Sequence, residues 1–364
     1  MKFDNLYGEV NAVPLSIYDD LISTYMDQVK KIEGVLSIIQ IGSFTAPGLS
    51  DIDIIVIVDD INPPNWDDIS IRKILKQKKG YEVIAHDVFV YSKILAKYIE
   101  GLFYIDRKKI LYGDDIGGHM TDDKINDLKL ILSYEYTIHR LESLSAMLSM
   151  RKNHVRAVSL FISTLRHTYK LLSDFNIIPF QESKRKIAEI ETLRKQAIAV
   201  KLKTIESELN KWIIPSFEVI YSSILLLEEK LSYKKRNHDK WILNSGKMIF
   251  NIDNVKKVIN FYKANYTLNK FLRGKILVIP MPSSVREHIV DYRLENYSNK
   301  NNNFDEMDLK TLRHHLAKKH EAFIKVNNYP ISKSYIIIDD EKNKIQDLIK
   351  HFLCKIILFF KSNK

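Results

Sequence analysis

Between Asp51 and Asp59 the chain reads Asp-Ile-Asp-Ile-Ile-Val-Ile-Val-Asp. Ile52 to Val58 is thus apolar and β-branched at every position but Asp53, and this pattern has neither the period of an amphipathic helix nor the alternation of a half-solvated strand. It predicts a strand covered on both faces, which requires a sheet with helices or other layers on each side. A neighbouring candidate, Val35 to Ile41, precedes it across a short loop. Ser16 is a candidate cap for an upstream helix carrying Asp19 and Asp20 in its first turn, with Gly34 at its stop. Downstream, Asn65 can cap a helix opened by Trp66, Asp67 and Asp68 and closed by Gly80, after which Tyr81 to Tyr91 is expected to return as a strand and Ser92 to open a shorter helix.

The spacing then changes. Val155, Val158, Phe161, Ile162, Leu165, Tyr169 and Leu172 recur at helical intervals, a second long helix is expected around 187–209, and Pro179 and Pro215 fall between such stretches. About four helices in a bundle-like unit are expected from 121 to 233. A basic run at 234–240 reads as a linker. The rest is mixed: a strand from 275 to 279, an Asn-rich loop at 297–304, a basic helix around 308–325 and a C-terminal amphipathic helix. The expected organisation is α+β, with a mixed-sheet domain over 1–118, a helical domain over 119–235 and a smaller C-terminal α/β module over 241–364.

Composition narrows the class. With 364 residues, 45% hydrophobic content and a net charge of +11, the chain has enough apolar material for a real core and is not a disordered or low-complexity sequence. The lone cysteine, Cys354, excludes an internal disulfide and a cysteine-based zinc site. No apolar run reaches the roughly 20 residues of a membrane span, so a soluble, cytoplasmic protein is expected, with peripheral membrane contact through the C-terminal helix as a further option.

The chemistry is concentrated around the apolar strand. Alternation places Asp51 and Asp53 on one face, and two carboxylates at the head of a buried strand repel strongly unless a hard cation lies between them. Gly42-Ser43, at the end of the preceding strand, offers backbone N–H groups and a hydroxyl to an anion. In Ala85-His86-Asp87-Val88, a third carboxylate interrupts another apolar stretch and can lie beside the first pair on a neighbouring strand.

An apolar strand, Gly42-Ser43, a short interval, Asp51-Ile52-Asp53 and the later Asp87 together resemble the DNA-polymerase-β-like nucleotidyltransferase superfamily over roughly residues 16–115. Leu111-Tyr112-Gly113 is similar to a segment that follows the third carboxylate in small-molecule members. One departure is the interval from Phe44 to Ser50, which holds Pro47 and Gly48 and leaves room for no more than a turn of the helix that normally follows Gly-Ser. The resemblance implies two Mg²⁺ ions held by Asp51, Asp53 and Asp87, with Gly42 and Ser43 on the phosphates of an NTP. It further implies transfer of NMP to a hydroxyl acceptor, a small molecule or a protein ahead of RNA. The alternative is a catalytically weak or inactive member that serves as a regulatory, antitoxin-like binding protein. An Asp-x-Asp pair also occurs in metal-dependent glycosyltransferases, but there a longer nucleotide-binding half precedes it.

Arg156, Arg166 and Lys170 in the helical region are candidates to reach a polyphosphate. Arg313 and His320 have a spacing similar to that of HEPN-type ribonucleases, although Lys318, Lys319, His314 and His315 around them read as a solvated basic face.

Overall fold

The computed structural model describes residues 3, 5–115, 122–149, 153–199, 202–231, 240–242, 248–251, 278–281 and 309–330. In chain order these hold β1 (Leu6–Tyr7), α1 (Leu15–Val29), β2 (Val35–Ile41), β3 (Asp53–Val58), α2 (Trp66–Ile69), α3 (Ile71–Ile74), β4 (Phe89–Ser92), α4 (Lys93–Ala96), α5 (Ile99–Leu102) and β5 (Lys108–Gly113). There follow α6 (Asp122–Ser149), β6 (Asn153–His154), α7 (Val155–Asp174), α8 (Phe180–Ala199), α9 (Leu202–Lys211), α10 (Ile213–Lys230), β7 (Lys240–Ile242), β8 (Met248–Asn251), β9 (Val278–Met281) and α11 (Leu309–Val326). The fold is mixed α+β.

Four strands form a small mixed sheet in the order β4-β3-β2-β5. β2 runs antiparallel to both β3 and β5, and β3 runs parallel to β4. The doubly covered strand is present: Ile54, Ile55, Val56, Ile57 and Val58 are each 1% exposed or less. On one face Ile54, Val56 and Val58 pack with Tyr18, Leu21, Tyr25 and Val29 of α1. On the other, Ile55 and Ile57 pack with Tyr91, Ala96 and Ile99. Each side chain so buried contributes roughly 1.5–3 kcal/mol, which is why this run dictates the sheet.

A second core lies among α6 to α10, where Tyr134, Leu141, Val158, Ile162, Leu165, Ile190, Leu209, Phe217 and Ile224 are buried. Phe3, Leu6, Val10, Ala46 and Leu49 from the N-terminal part join it, so the loop after β2 is wedged between sheet and helices. Parallel pairing of Leu6 with Asn153 and Tyr7 with His154 adds a backbone tie. Helix α11 docks through Leu312 and Leu316 on Leu95, Tyr98 and Leu128. His320 stacks on Tyr91 at 4.4 Å, and Ile324 and Tyr329 reach the core beneath α1.

Several sequence expectations are corrected. Helix α1 starts at Leu15 behind Pro14, so Ser16 lies inside its first turn rather than capping it. The helix expected from Asn65 to Gly80 is two single turns separated by Ser70, whose ψ of 111° breaks the helical path. The strand expected from Tyr81 is a 3₁₀ turn (Tyr81–Val83), and extended pairing begins only at Phe89. Five helices, α6 to α10, occupy the region where about four were expected. Pro215 does not separate two of them but is the third residue of α10, where a backbone N–H would have no helical acceptor. His315, read as part of a solvated face, is 4% exposed. The basic helix is otherwise found as α11, and Val278–Met281 occupies part of the late strand. The linker up to 239, the Asn-rich loop, the C-terminal amphipathic helix, Cys354 and the side chain of Arg313 lie outside the described residues. Among the described residues no helix is long and apolar enough to cross a membrane.

Candidate metal centre at the head of the buried strand

Helix α1 sets up the centre from beneath. The Tyr18 hydroxyl donates to the Ser50 carbonyl at 2.7 Å and accepts from the Gly48 N–H at 2.8 Å, fixing the residue before Asp51. Seven residues on, on the same helical face, the Tyr25 hydroxyl donates to the Ile69 carbonyl at 2.7 Å, fixing the residue before Ser70. Both tyrosines are fully buried, so the two segments are held to one rigid helix.

The interval from Phe44 to Ser50 forms no helix. It is a compact loop in which the Ser50 N–H donates to the Ala46 carbonyl at 2.7 Å and the Val13 N–H to the Pro47 carbonyl at 3.4 Å. From the helical side, Arg194 of α8 donates through Nη1 to Thr45 Oγ1 at 2.8 Å and through Nη2 to Ser50 Oγ at 3.0 Å. Its Nη1 also meets both carboxylate oxygens of Glu191, at 2.9 and 3.0 Å. Arg194 is 4% exposed and ties the loop beside Asp51 to the helical core.

At the head of β3, Asp53 pairs in register with Ile41, the last residue of β2, and Gly42 follows with φ +75°. A Cβ on Gly42 would lie 3.7 Å from Asp53 Oδ2, so the glycine sits directly beside the carboxylate. The Gly42 N–H donates to the Arg107 carbonyl at 3.0 Å, which removes one of the donors the sequence offered to an anion. Ser43, next along and half-buried, retains its hydroxyl.

Asp51 and Asp53 do converge, and the third group facing them is His86. One ligand atom from each of Asp51, Asp53 and His86 lies within 4.8 Å of the others, and all three residues are half-buried. His86 Nε2 donates to Asp53 Oδ1 in a short contact and stands 3.9 Å from Asp51 Oδ2. Its Nδ1 faces the Asp87 carbonyl at 2.7 Å. Both ring nitrogens therefore face oxygens that can accept, an arrangement that suits the doubly protonated imidazolium. Burial opposes that charge, but the hydrogen bond to Asp53 and the charges of Asp53 and Asp51 outweigh it and push the His86 pKa up to about 9. The Asp51 carboxyl is pushed up to about 6, by burial first and then by the charge of Asp53.

Asp87 lies outside this cluster. Its Oδ2 accepts from the Ser70 hydroxyl at 2.6 Å and its Oδ1 from the Val88 N–H at 2.9 Å. The parallel β3–β4 ladder begins at the pairing of Ile55 with Phe89, so Asp87, two residues before it, lies outside the paired strands. Its side chain turns to Ser70.

Of the proposed phosphate-reaching cations, Arg166 is engaged by Glu191 and Lys170 by Asp106. Arg156, in the first turn of α7, donates through Nη1 to the Glu82 carbonyl at 3.1 Å, while its Nε and Nη2 are buried without a partner. Its charge is felt at Asp51, whose pKa it lowers. Leu111-Tyr112-Gly113 ends the edge strand β5, and Gly113 has φ +70° with a Cβ position 2.0 Å from the Leu36 carbonyl oxygen.

Sequence reasoning passed over His86, Ser70 and Arg194. His86 carried a signal, since an imidazole next to a candidate metal acid deserves weight as a ligand or counter-charge. Ser70 and Arg194 carried none, because their roles depend on contacts 17 and 144 residues away. Compared with protein-family models, with curated proteins and with solved structures, the chain finds no match in any of the three.

Proposed function

We propose that the chain is a Mg²⁺-dependent nucleotidyltransferase, of the kind its motif resembles, moving NMP from an NTP to a hydroxyl acceptor. The observation that carries this reading is the convergence of Asp51 and Asp53 at the head of the buried strand, with the bare backbone of Gly42 beside Asp53. Their closeness is costly without a cation between them, since burial first and then the charge of Asp53 push the Asp51 carboxyl up.

The donor set fits a hard divalent cation. Two carboxylates supply the oxygens that Mg²⁺ prefers, and the cluster already gathers positive charge in the form of the His86 imidazolium. Asp51 and Asp53 would hold the ion, with His86 either displaced or deprotonated and recruited as a further ligand. When bound, such an ion supplies charge neutralisation and Lewis acidity at phosphoryl oxygens.

The chain's own groups divide the remaining work. Ser43 and the backbone around it would meet the phosphates, and Arg156 would add the N–H groups of Nε and Nη2, two nitrogens without a partner, from the helical side. In the transfer, the acceptor oxygen bonds to the α-phosphorus, the bridging α–β P–O bond breaks, and pyrophosphate leaves with that electron pair. The acceptor's proton is assigned to the Asp87 carboxylate, one residue along from His86 of the cluster. Position and charge supply the acceleration, with no covalent intermediate.

One observation favours a second reading. Asp87 is held by Ser70, an arrangement suited to a member that binds nucleotide without turning it over. Incubation of the full chain with each α-labelled NTP, Mg²⁺ and cell extract separates the two. Transfer of label to an acceptor is expected. Mg²⁺-dependent NTP binding without label transfer selects the second reading, and absence of both overturns the first.

A further inference from the structure

We infer that the acceptor seat lies where the segment leading into β5 meets helices α6 and α7, and that it selects a small hydroxylated molecule carrying a phosphate or carboxylate. This rests on the nucleotidyltransferase reading and extends it to a substrate class.

This junction adjoins the metal centre. Ile41 pairs with Asp53 on one side and with Lys108 on the other, and the Arg107 carbonyl accepts from the Gly42 N–H, so the segment from Tyr104 to Arg107 enters the sheet next to the carboxylate pair. A run of ring contacts follows the same path: His86 to Phe89 at 4.6 Å and Phe89 to Phe103 at 4.4 Å. Tyr104, next in the chain, contacts His167 at 4.8 Å and Tyr136 at 5.7 Å. All of these rings are half-buried.

The polar groups left over there are donors. The Tyr104 hydroxyl and Arg140 Nε are buried without a partner. Arg140 spends one nitrogen on Thr164 Oγ1 at 3.1 Å and lays its guanidinium 4.8 Å from the Tyr136 ring centroid. Its neighbours Lys170 and Arg166 are matched to Asp106 and Glu191, whereas Arg140 has no carboxylate partner among the described residues. A buried guanidinium N–H without an acceptor costs free energy in the folded chain, and only a group rich in acceptors removes that cost. Phosphate and carboxylate oxygens fit this need, while the ring faces suit the apolar face of a sugar or similar ring. A polycationic acceptor would meet Arg140 as a like charge.

The test is calorimetric binding to the full chain, without NTP, of glucose 6-phosphate and gluconate against glucose and spermidine as neutral and cationic counterparts. The anions are expected to bind at least about tenfold more tightly than glucose, and Arg140→Gln to remove about tenfold or more of that affinity. Tyr104→Phe should weaken it by about threefold. Arg140→Lys, which keeps the charge and loses the fork, guards against misfolding of the glutamine variant and should fall between the two. Binding of glucose or spermidine as tight as that of the anions, or no Arg140-dependent binding of either anion up to millimolar concentration, overturns the inference. Label transfer to a neutral or cationic acceptor that ignores Arg140 would also overturn it while leaving the enzymatic reading intact. Arg140-dependent anion binding with no transfer to any acceptor would instead count against the enzymatic reading alone.

Discussion

Ser70 donates a 2.6 Å hydrogen bond to Asp87 Oδ2 and, through the same oxygen, accepts from the Lys73 N–H at 3.2 Å to cap α3. One hydroxyl thus closes a helical turn and holds the third carboxylate outside the group of Asp51, Asp53 and His86. Ser70→Ala should cost about 1 kcal/mol of stability through the lost cap, seen as a melting temperature a few degrees lower. It should also tighten Mg²⁺ binding by about two- to tenfold, because Asp87 no longer gives up a hydrogen bond on turning to the ion. Titration calorimetry with Mg²⁺ reads this directly, and unchanged or weaker binding would detach Asp87 from the metal centre.

Asp53→Asn should reduce nucleotide transfer at least about a thousandfold, since the amide keeps the shape and removes the anionic oxygen that a hard cation prefers. From sequence alone, repulsion with Asp51 suggests that the metal-free variant is as stable as the parent or more so. The structure revises this, because Asp53 is also the hydrogen-bonded partner of the His86 imidazolium. Both side chains are about 30% solvent-exposed, at 33% and 28%, so the lost pairing is modest. A loss of about 1 kcal/mol or less at neutral pH is expected. Melting and turnover measured on one preparation check both parts, and normal transfer by a normally folded variant removes the pair from the mechanism.

These revisions show where the sequence was readable. The run from Ile54 to Val58 specified its own burial, because five consecutive β-branched residues leave no solvated face. Val35–Ile41 was legible for a similar reason, and Asp51 and Asp53 could be paired because two residues in one strand share a face. Residues 81 to 88 were misread. They carry enough apolar side chains for a strand, but hydrogen bonds from distant partners, Ile52 N–H to the Val83 carbonyl and Ser70 to Asp87, fold them as a turn. Arg194 looked like any helical arginine in the sequence. Its burial against Thr45 and Ser50 exists only once the loop is wedged onto α8.

Two motif glycines should respond very differently to alanine. At Gly42 the left-handed φ of +75° costs a side chain about 1–2 kcal/mol, but its Cβ would meet only Asp53 Oδ2 at an ordinary 3.7 Å. At Gly113 the same kind of conformation, φ +70°, comes with a Cβ 2.0 Å from the Leu36 carbonyl oxygen, a backbone atom in the paired strand. Gly113→Ala should therefore cost about 2–5 kcal/mol and loosen the β2–β5 edge. Gly42→Ala should cost no more than about 2 kcal/mol. Denaturant unfolding of the two variants decides, and equal losses would show that the tight turn, not the close approach, governs Gly113.

His167 supplies a pH dependence away from the metal centre. It is half-buried on α7, ringed by Tyr104 and Tyr136 and facing the charges of Arg166, Asp106, Arg140 and Arg194. Burial, and next the Arg166 charge, hold its imidazolium well below the usual histidine range in the folded chain. A depressed folded-state pKa means that the folded form favours the neutral ring. The associated stability is complete above about pH 6.5, where the unfolded ring is neutral too, and is lost as pH falls below that value, because only the unfolded chain takes up the proton. Between pH 6.5 and 5 the loss from this one group should be about 1.5 kcal/mol. His167→Gln keeps a polar side chain of similar reach and cannot titrate. Its melting temperature should fall less steeply than that of the parent over this interval, with the difference between the two curves vanishing above pH 7. Parallel curves from pH 5 to 8 would place His167 in solvent-like surroundings and undo the assignment.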